Sequence, residues 1–142
     1  MEETIRVCCA ILMNGGLVLC AQRSASMSLP HKWEFPGGKI EPGEPPRKAL
    51  QREIREELDV EIEILKEFAG NVHRYSANKI IELIPFLGRI VGGEVMAKEP
   101  QPVKWVATDD LHRLDWAEAD VPIVLEFVKW YQSVPRDKFE HL

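Results

Sequence analysis

The chain has 142 residues, enough for one domain that buries about two thirds of the surface its unfolded chain would expose. With 45% hydrophobic and 29% charged residues its composition is that of an ordinary globular protein, and a net charge of -5 argues against a nucleic-acid-binding protein, which needs a basic surface. We therefore expect a single domain over residues 1–142 that does not bind nucleic acid.

The first segments of the chain predict a β-hairpin followed by a loop. Residues 5–12 and 17–23 are β-rich and flank an Asn-Gly-Gly turn at 14–16, where both residue types tolerate the positive φ of a tight turn. Residues 33–46 contain too much proline and glycine for a helix or a central strand. They are expected to form a shaped loop.

The rest of the chain alternates between helices and strands. Residues 46–58 predict a helix, because a proline suits its first turn and strong helix formers follow. Further elements are predicted in chain order: strands at 60–70, 79–91 and 103–106, a short helix with Thr108 as its N-cap, and a helix near 119–132. Strands interleaved with two main helices predict an α/β sandwich.

The helix at 46–58 ends in a group of acids. At 100° per residue, Glu53, Glu56 and Glu57 share one face beside the apolar stripe. Glu53 and Glu57 are a like-charged i,i+4 pair costing about 0.2–0.5 kcal/mol, and acids here also oppose the helix dipole. Arg52 can offset part of this by pairing with Glu56. Two interpretations remain: a solvated, salt-bridged face, or a set of oxygen ligands for Mg²⁺ or Mn²⁺.

The segment that contains these acids, GKIEPGEPPRKALQREIREELDV at 38–60, resembles the Nudix box. That pattern is glycine, five residues, glutamate, seven residues, Arg-Glu, an aliphatic, one residue, Glu-Glu, one residue, glycine and an aliphatic. The matching positions are Gly38, Glu44, Arg52, Glu53, Ile54, Glu56, Glu57 and Val60. Asp59 replaces the glycine that would end the helix in a left-handed conformation, and we expect this to cost a little stability but no activity.

The resemblance extends over most of the chain, and it is closest to the small MutT-like nucleoside triphosphate pyrophosphohydrolases. That group includes bacterial CTP pyrophosphohydrolases and 8-oxo-dGTP diphosphatases. The resemblance implies the Nudix fold, an α/β/α sandwich with a mixed β-sheet between helices. It also implies an enzyme that cleaves a nucleoside triphosphate to the monophosphate and pyrophosphate, with Mg²⁺ as cofactor or Mn²⁺ as an alternative.

By the same resemblance, five residues are expected to bind the metal: the Gly38 carbonyl, Glu53, Glu56, Glu57, and Glu99 from a separate loop. Glu53, Glu57 and Glu99 are the expected catalytic residues. Members of the family differ in which glutamate is the general base, so both Glu53 and Glu99 remain candidates for that role.

Three further residues match nucleotide-contacting positions of the family. Arg23 and Lys79 match cations near the nucleotide, although both residue types are common on surfaces, and Lys79 replaces an arginine and loses its planar bidentate bonding. Phe35 matches an aromatic that lies against the base, and a place in the core fits it equally well.

Glu44 and Arg52 match a structural ion pair of the family, which braces the loop against the helix.

Asp120 matches a position that hydrogen-bonds the edge of the base, although it could equally be the N-cap of the last helix. An ionised aspartate accepts from an exocyclic amine such as that of cytosine, so Asp120 favours CTP or dCTP, including modified cytosine, over 8-oxo-dGTP. From another functional class, a non-catalytic Nudix-fold nucleotide sensor is the alternative, but no box carboxylate is missing.

The remaining features concern location and assembly. No apolar run approaches the roughly 18 residues of a membrane span, and residues 1–9 lack the features of a signal peptide. The three cysteines form no CxxC motif, so we expect them to be small buried residues. We expect a cytoplasmic protein, without membrane contacts, that is a monomer or a homodimer.

Overall fold

A computed structural model describes residues 3–97 and 101–135. It contains eight strands, two α-helices and one 3₁₀ helix within these ranges. The elements in chain order are β1 (Glu3–Asn14), β2 (Leu17–Gln22), β3 (Trp33–Glu34), β4 (Gly37–Lys39), α1 (Pro46–Leu58), β5 (Glu61–Glu67), β6 (Asn71–Ser76), β7 (Lys79–Gly92), β8 (Val103–Ala107), the 3₁₀ helix (Thr108–Arg113) and α2 (Val121–Ser133).

The strands form one mixed sheet with the order β3-β2-β1-β7-β5. Its centre is the parallel pairing of β1 with β7, which runs from Glu3 opposite Lys79 to Leu12 opposite Gly88. The other pairings are antiparallel: β4 lies on β1, β8 on β2, and both β5 and β6 on β7. Parallel strands need a long crossover, and here β1 and β7 are joined through α1.

A helix covers each face of the sheet, and β1 contributes to the core on both sides. Because side chains alternate along a strand, Cys8 and Leu12 pack in the core with α1, whereas Cys9 and Ile11 pack in the core with α2. All four of these side chains are buried. This arrangement is the predicted α/β/α sandwich with a mixed sheet between helices, so the predicted fold is confirmed.

Helix α1 forms because its apolar residues recur on one face. Leu50, Ile54 and Leu58 are buried against the sheet, and the acidic face lies beside this stripe. The helix ends at Asp59, whose φ of 60° and ψ of 35° are left-handed, and whose backbone N–H donates to the Arg55 carbonyl at 3.1 Å. Asp59 therefore adopts the conformation expected of the glycine that it replaces.

The strand predictions were incomplete. Strand β6 was missed and the strand predicted at 60–70 is shorter, Glu61–Glu67. The segment 33–46 was predicted as a loop, but it contains β3 and β4 on either side of Pro36. Strands β3 and β4 pair with β2 and β1, which lie well before them in the chain, so their local sequence gives little sign of them. Strand β6 pairs with the next strand, β7, in a tight hairpin with Ser76 opposite Lys79, and it was missed because its residues are mostly polar and exposed.

Predictions about the last elements need two corrections. Thr108 is not an N-cap: it is the first residue of the 3₁₀ helix, and its Oγ1 donates to the Gly16 carbonyl at 3.2 Å. Helix α2 begins at Val121, two residues later than predicted.

The cysteines Cys8, Cys9 and Cys20 are free and buried, as expected. Neither helix in the described ranges has the length and apolarity needed to cross a membrane.

The left-handed residue at the end of α1 gives a testable prediction. Replacing Asp59 with glycine should raise the free energy of unfolding by about 0.5–1 kcal/mol, because glycine adopts positive φ without the clash between Cβ and the carbonyl oxygen. Asp109→Gly is the matched control: Asp109 lies in the 3₁₀ helix and is not among the residues with positive φ, so glycine should destabilise the protein there. Urea denaturation of both variants measures the effect, and a loss of stability in Asp59→Gly would contradict it.

Candidate active site

A cleft of about 350 Å³ opens beside β1 and the β3–β4 segment. Gly37, Gly38 and Glu57 line it at one end, next to the acidic face of α1. Phe35 and Asp120 line it near the start of α2. The cleft therefore brings together residues of the box with residues from distant parts of the sequence.

Arg52 holds the acidic residues of the box in place. Its Nε and Nη2 donate to the two carboxylate oxygens of Glu44 at 2.8 and 2.9 Å, and Nη2 also donates to the Lys39 carbonyl at 3.1 Å. Its Nη1 donates to Glu53 at 2.9 Å and to Glu56 at 3.4 Å. The hydrogen bonds from Arg52 lower the pKa of Glu44 to about 2. The structure thus contains the ion pair expected between Glu44 and Arg52, and the same guanidinium orients Glu53.

Glu57 has a different environment from Glu53. Burial raises its pKa to about 8, with further increases from the charges of Glu53 and Glu34, against one backbone hydrogen bond from Gly37. No lysine or arginine within residues 3–97 and 101–135 forms an ion pair with Glu57. A carboxylate that is buried without a cation favours the binding of a positive charge from outside the protein.

Gly38 lies directly against the Glu53 side chain. A Cβ atom at Gly38 would overlap the Glu53 carboxylate, so only glycine leaves room for it. The Gly38 carbonyl accepts a hydrogen bond from the Cys8 thiol, whose Sγ lies 3.5 Å away. At Gly37 a Cβ would instead overlap the Cys8 backbone carbonyl across the β1–β4 pairing. The two glycines are therefore needed for different reasons.

The donor set at this end of the cleft suits a divalent cation. Carboxylate and carbonyl oxygens are the ligands that Mg²⁺ and Mn²⁺ prefer, and the buried Glu57 has no internal cation. Among the residues described, however, no three acidic, histidine or cysteine side chains are close enough to hold one ion. Glu53 and Glu56 turn toward Arg52, and Glu99 lies outside the described residues. The residues fit a metal chemically, and Glu53 and Glu56 would have to turn to complete its shell.

Asp120 is a buried carboxylate near the start of α2. It is 7% exposed, and its Oδ2 accepts the Phe35 backbone N–H at 3.0 Å. It stands at the N-cap position of α2, but its side chain forms no capping hydrogen bond. Burial raises its pKa to about 7; the Phe35 N–H and Arg23 oppose this rise, while Glu34 adds to it. The Asp120 side chain therefore lines the cleft and does not cap the helix.

The other predicted substrate-binding residues have mixed positions. Phe35 lines the cleft and is also buried, with its ring centroid 4.7 Å from that of Trp116, so it belongs to the core, and its contact with a base stays a prediction. Lys79 is outside the described lining of the cleft, and its Nζ lies 6.0 Å from the ring centroid of Tyr75, which does line it. Lys79 therefore lies near a residue of the cleft without lining the cleft itself, and its contact with the nucleotide stays a prediction.

Arg23 lines the cleft, and each of its three side-chain nitrogens donates one hydrogen bond within the protein, which accounts for three of its five N–H groups. Its Nη1 donates to Glu34 at 2.8 Å, its Nε to the Ser28 carbonyl at 2.6 Å and its Nη2 to the Ser28 hydroxyl at 3.0 Å. Glu34, Tyr75 and Gln101 also line the cleft, and they are not among the site residues predicted from the sequence. An acid between two aromatics in Trp-Glu-Phe was the available signal for Glu34, and nothing local marked Gln101.

Comparison with known proteins agrees with this geometry. The NUDIX domain family matches residues 3–127. The CTP pyrophosphohydrolase of Escherichia coli (strain K12) is 35% identical over 135 residues, covering 95% of this chain and 99% of the relative. The 8-oxo-dGTP diphosphatase of the same strain is 30% identical, covering 86% and 95%. The solution structure of the E. coli ORF135 protein has a TM-score of 0.81 at 33% identity, covering 94% and 95% of the two chains.

A match over this much of the chain shows that the chain belongs to the Nudix family. It is a Nudix hydrolase, similar to proteins named as a pyrophosphohydrolase and a diphosphatase. The resemblance given by the box is therefore confirmed. Nudix hydrolases generally use divalent metal ions, which agrees with the chemistry of the carboxylates on α1.

The two adjacent glycines should respond differently to alanine. Gly38→Ala should lower the free energy of unfolding by less than about 1 kcal/mol, because its Cβ displaces only the flexible end of Glu53. The same variant should weaken Mn²⁺ binding by about 10-fold or more. Gly37→Ala should lower the free energy of unfolding by about 2 kcal/mol or more, because its Cβ meets the backbone of Cys8. Urea denaturation and Mn²⁺ titration followed by electron paramagnetic resonance measure the two effects. Equal destabilisation by both variants would contradict this distinction.

Asp120 should make stability depend on pH. The pKa of Asp120 is about 7 in the folded protein and 3.8 ordinarily, so between these values the folded protein keeps a proton that the unfolded chain releases. The contribution of Asp120 to stability therefore falls as the pH rises from about 4 to 7. Asp120→Asn cannot ionise, so the variant should gain as much as about 4 kcal/mol relative to the wild type over this range. Denaturant unfolding of both proteins at pH 4, 6 and 8 measures the difference, and a constant difference would contradict the assignment.

Proposed function

We propose that this enzyme hydrolyses nucleoside triphosphates to the nucleoside monophosphate and pyrophosphate, depends on Mg²⁺, and prefers CTP or dCTP, including modified cytosine. The observation that carries the proposal is the polarity of the cleft, with Glu57 and Gly38 at one end and Asp120 at the other. A nucleotide has the same polarity, with phosphates on one side of the sugar and the base on the other. The 35% identical CTP pyrophosphohydrolase supports the same substrate class.

The phosphate end must neutralise charge and position a water molecule. A bound Mg²⁺ would supply Lewis-acid stabilisation of the phosphate oxygens. Glu53, Glu56, Glu57 and the Gly38 carbonyl are the residues that would hold it, with Glu99 as a further ligand. Arg52 orients Glu53 through the 2.9 Å hydrogen bond. Deprotonation of the water falls to Glu53 or Glu99, and both remain candidates.

At the base end, the acceptor character of Asp120 decides the preference. A carboxylate offers about four lone-pair sites, of which the Phe35 N–H uses one, and an ionised carboxylate donates none. Cytosine presents an exocyclic amine, which donates. The 30% identical 8-oxo-dGTP diphosphatase supports 8-oxo-dGTP as the second candidate. That base also carries an exocyclic amine, but its O6 and O8 keto groups need donors, which an ionised carboxylate lacks. Above its pKa, Asp120 therefore favours cytosine.

A substrate screen tests the proposal. Purified protein with Mg²⁺ is incubated with CTP, dCTP, 5-methyl-dCTP, UTP and 8-oxo-dGTP, and pyrophosphate is measured through added pyrophosphatase. We expect CTP or dCTP to be preferred and Glu57→Gln to lower kcat by on the order of 10²–10³-fold. EDTA should abolish turnover, and this is measured by chromatography of the nucleoside monophosphate, because the added pyrophosphatase itself needs Mg²⁺. Glu67→Gln, an exposed glutamate on β5, is the matched control and should match the wild type.

Two results would reject parts of the proposal. Equal activity of the wild type and Glu57→Gln on every substrate would remove the α1 carboxylates from the reaction. An unchanged ratio of CTP to 8-oxo-dGTP turnover in Asp120→Asn would remove Asp120 from base recognition while leaving the hydrolase assignment intact.

A further inference from the structure

The two helices that cover the sheet differ in their outer faces. Both have 13 residues, and they pack on opposite faces of the same sheet. The exposed residues of α1 are all charged: Arg47, Lys48, Arg55 and Glu56. The exposed residues in the first two turns of α2 are all apolar: Val121, Pro122 and Leu125. A helix that is apolar on all sides is normally buried on all sides, so α2 has the composition of a helix with a second partner.

The inner side of α2 is already packed within the protein. Ile123, Val124 and Phe127 are buried in the core on that side of the sheet. Val121 and Leu125 lie one turn apart on the opposite side of the helix, and they are 42% and 66% exposed. At these exposures, no segment among the described residues covers the outer face of α2.

Opposite charges stand at the two ends of this outer face. Glu118 lies in the turn that leads into α2, one turn before Val121, and its side chain is 80% exposed although its Oε2 pairs with His73 at 3.4 Å. Lys129 is also exposed and lies one turn after Leu125. Along the chain, the face thus carries an acid, three apolar residues and a base.

The remaining acid of the helix is used inside the protein. Glu126 accepts the backbone N–H groups of Ala69 and Gly70 at 2.8 and 3.4 Å, which ties α2 to the start of β6. Lys129 is therefore the charge of α2 itself that remains at the outer face. The charge pattern of this face depends on Glu118 and Lys129.

This pattern is complementary to itself. When two copies of one helix pack antiparallel about a two-fold axis, a residue before the axis in one copy meets a residue after the axis in the other. An axis midway between residues 123 and 124 places Pro122 opposite Leu125 and, at the same time, Glu118 opposite Lys129. Each of these contacts occurs twice in the symmetric pair. The partner that the charges of this face fit is therefore a second copy of the chain.

We propose that the outer face of α2 is a homodimer interface, in which two α2 helices pack antiparallel through Pro122 and Leu125, with Glu118 of each copy paired with the partner's Lys129. The inference does not depend on the proposed function, because the carboxylates of α1 lie on the other face of the sheet. A contact of one helix per copy buries less than the roughly 1,200–2,000 Å² of a stable complex, so we expect a dissociation constant on the order of 10–100 μM.

Sedimentation velocity of the full chain, at protein concentrations on both sides of this value, measures the association. Leu125→Glu should weaken the dimer by about 10-fold or more, because it places a carboxylate at the apolar centre of the contact. Val72→Glu is the matched control, since Val72 is also 66% exposed. Its neighbours Asn71 and His73 contact the turn before α2, so Val72 points to the other face of the sheet, and this variant should keep the wild-type dissociation constant.

Charge reversal tests the two-fold arrangement. Glu118→Lys and Lys129→Glu should each weaken the dimer by about 3–10-fold, because each places like charges opposite one another twice. The double variant restores opposite charges in the reverse order and should return to within about 3-fold of the wild-type dissociation constant. Circular dichroism checks the fold of each variant, and if Leu125→Glu does not fold, the charge variants decide the result.

Each outcome bears on the interface. A wild type that stays monomeric well above the expected dissociation constant rejects the proposal. A dimer that Val72→Glu weakens as much as Leu125→Glu rejects the outer face of α2 as its surface, and a double charge variant as weak as the single variants rejects the antiparallel pairing. A dimer that is lost in Leu125→Glu, kept in Val72→Glu and recovered in the double charge variant supports the inference.

Discussion

One guanidinium holds the box together. Arg52 joins α1 to the preceding loop through Glu44 and the Lys39 carbonyl, and it neutralises Glu53 at the same time. Without it, the acids of α1 would face one another across adjacent helical turns with no internal cation. Lysine cannot replace this arrangement, because only the planar fork of arginine donates in several directions at fixed angles. The close packing of Gly38 on Glu53 depends on the same bonds.

The charges of the cleft explain why a protein with a net negative charge needs additional positive charge to bind an anionic substrate. Arg23, which lines the cleft, is paired with Glu34, and Arg52 of the neighbouring helix α1 is paired with Glu44 and Glu53. Burial meanwhile raises the pKa of both Glu57 and Asp120. Lys39, which also lines the cleft, adds one positive charge, and we infer that a divalent ion provides most of the charge that the phosphates need.

The sequence was informative wherever the contacts are local or the spacing is fixed. Helix α1, the pairing of Glu44 with Arg52 and the left-handed Asp59 all follow from residues within the box. The contact between Glu34 and Gln101, 67 residues apart, depends on a pairing that no local pattern encodes. Strand β6 forms a local hairpin with β7, but its mostly polar and exposed residues lack the alternating pattern of a half-buried strand. Asp120 could be placed only by resemblance, and the roles of Glu99 and Lys79 stay predictions.

The two separate cores have a consequence for how such enzymes diverge. The carboxylates of α1 rest on the core that contains Leu50 and Ile54, whereas Phe35 and the start of α2 rest on the other core. The central sheet lies between them. Mutations in the second core can reshape the space proposed for the base while the carboxylates proposed for hydrolysis keep their support. A lineage can therefore change the nucleotide it removes without rebuilding the chemistry that removes it.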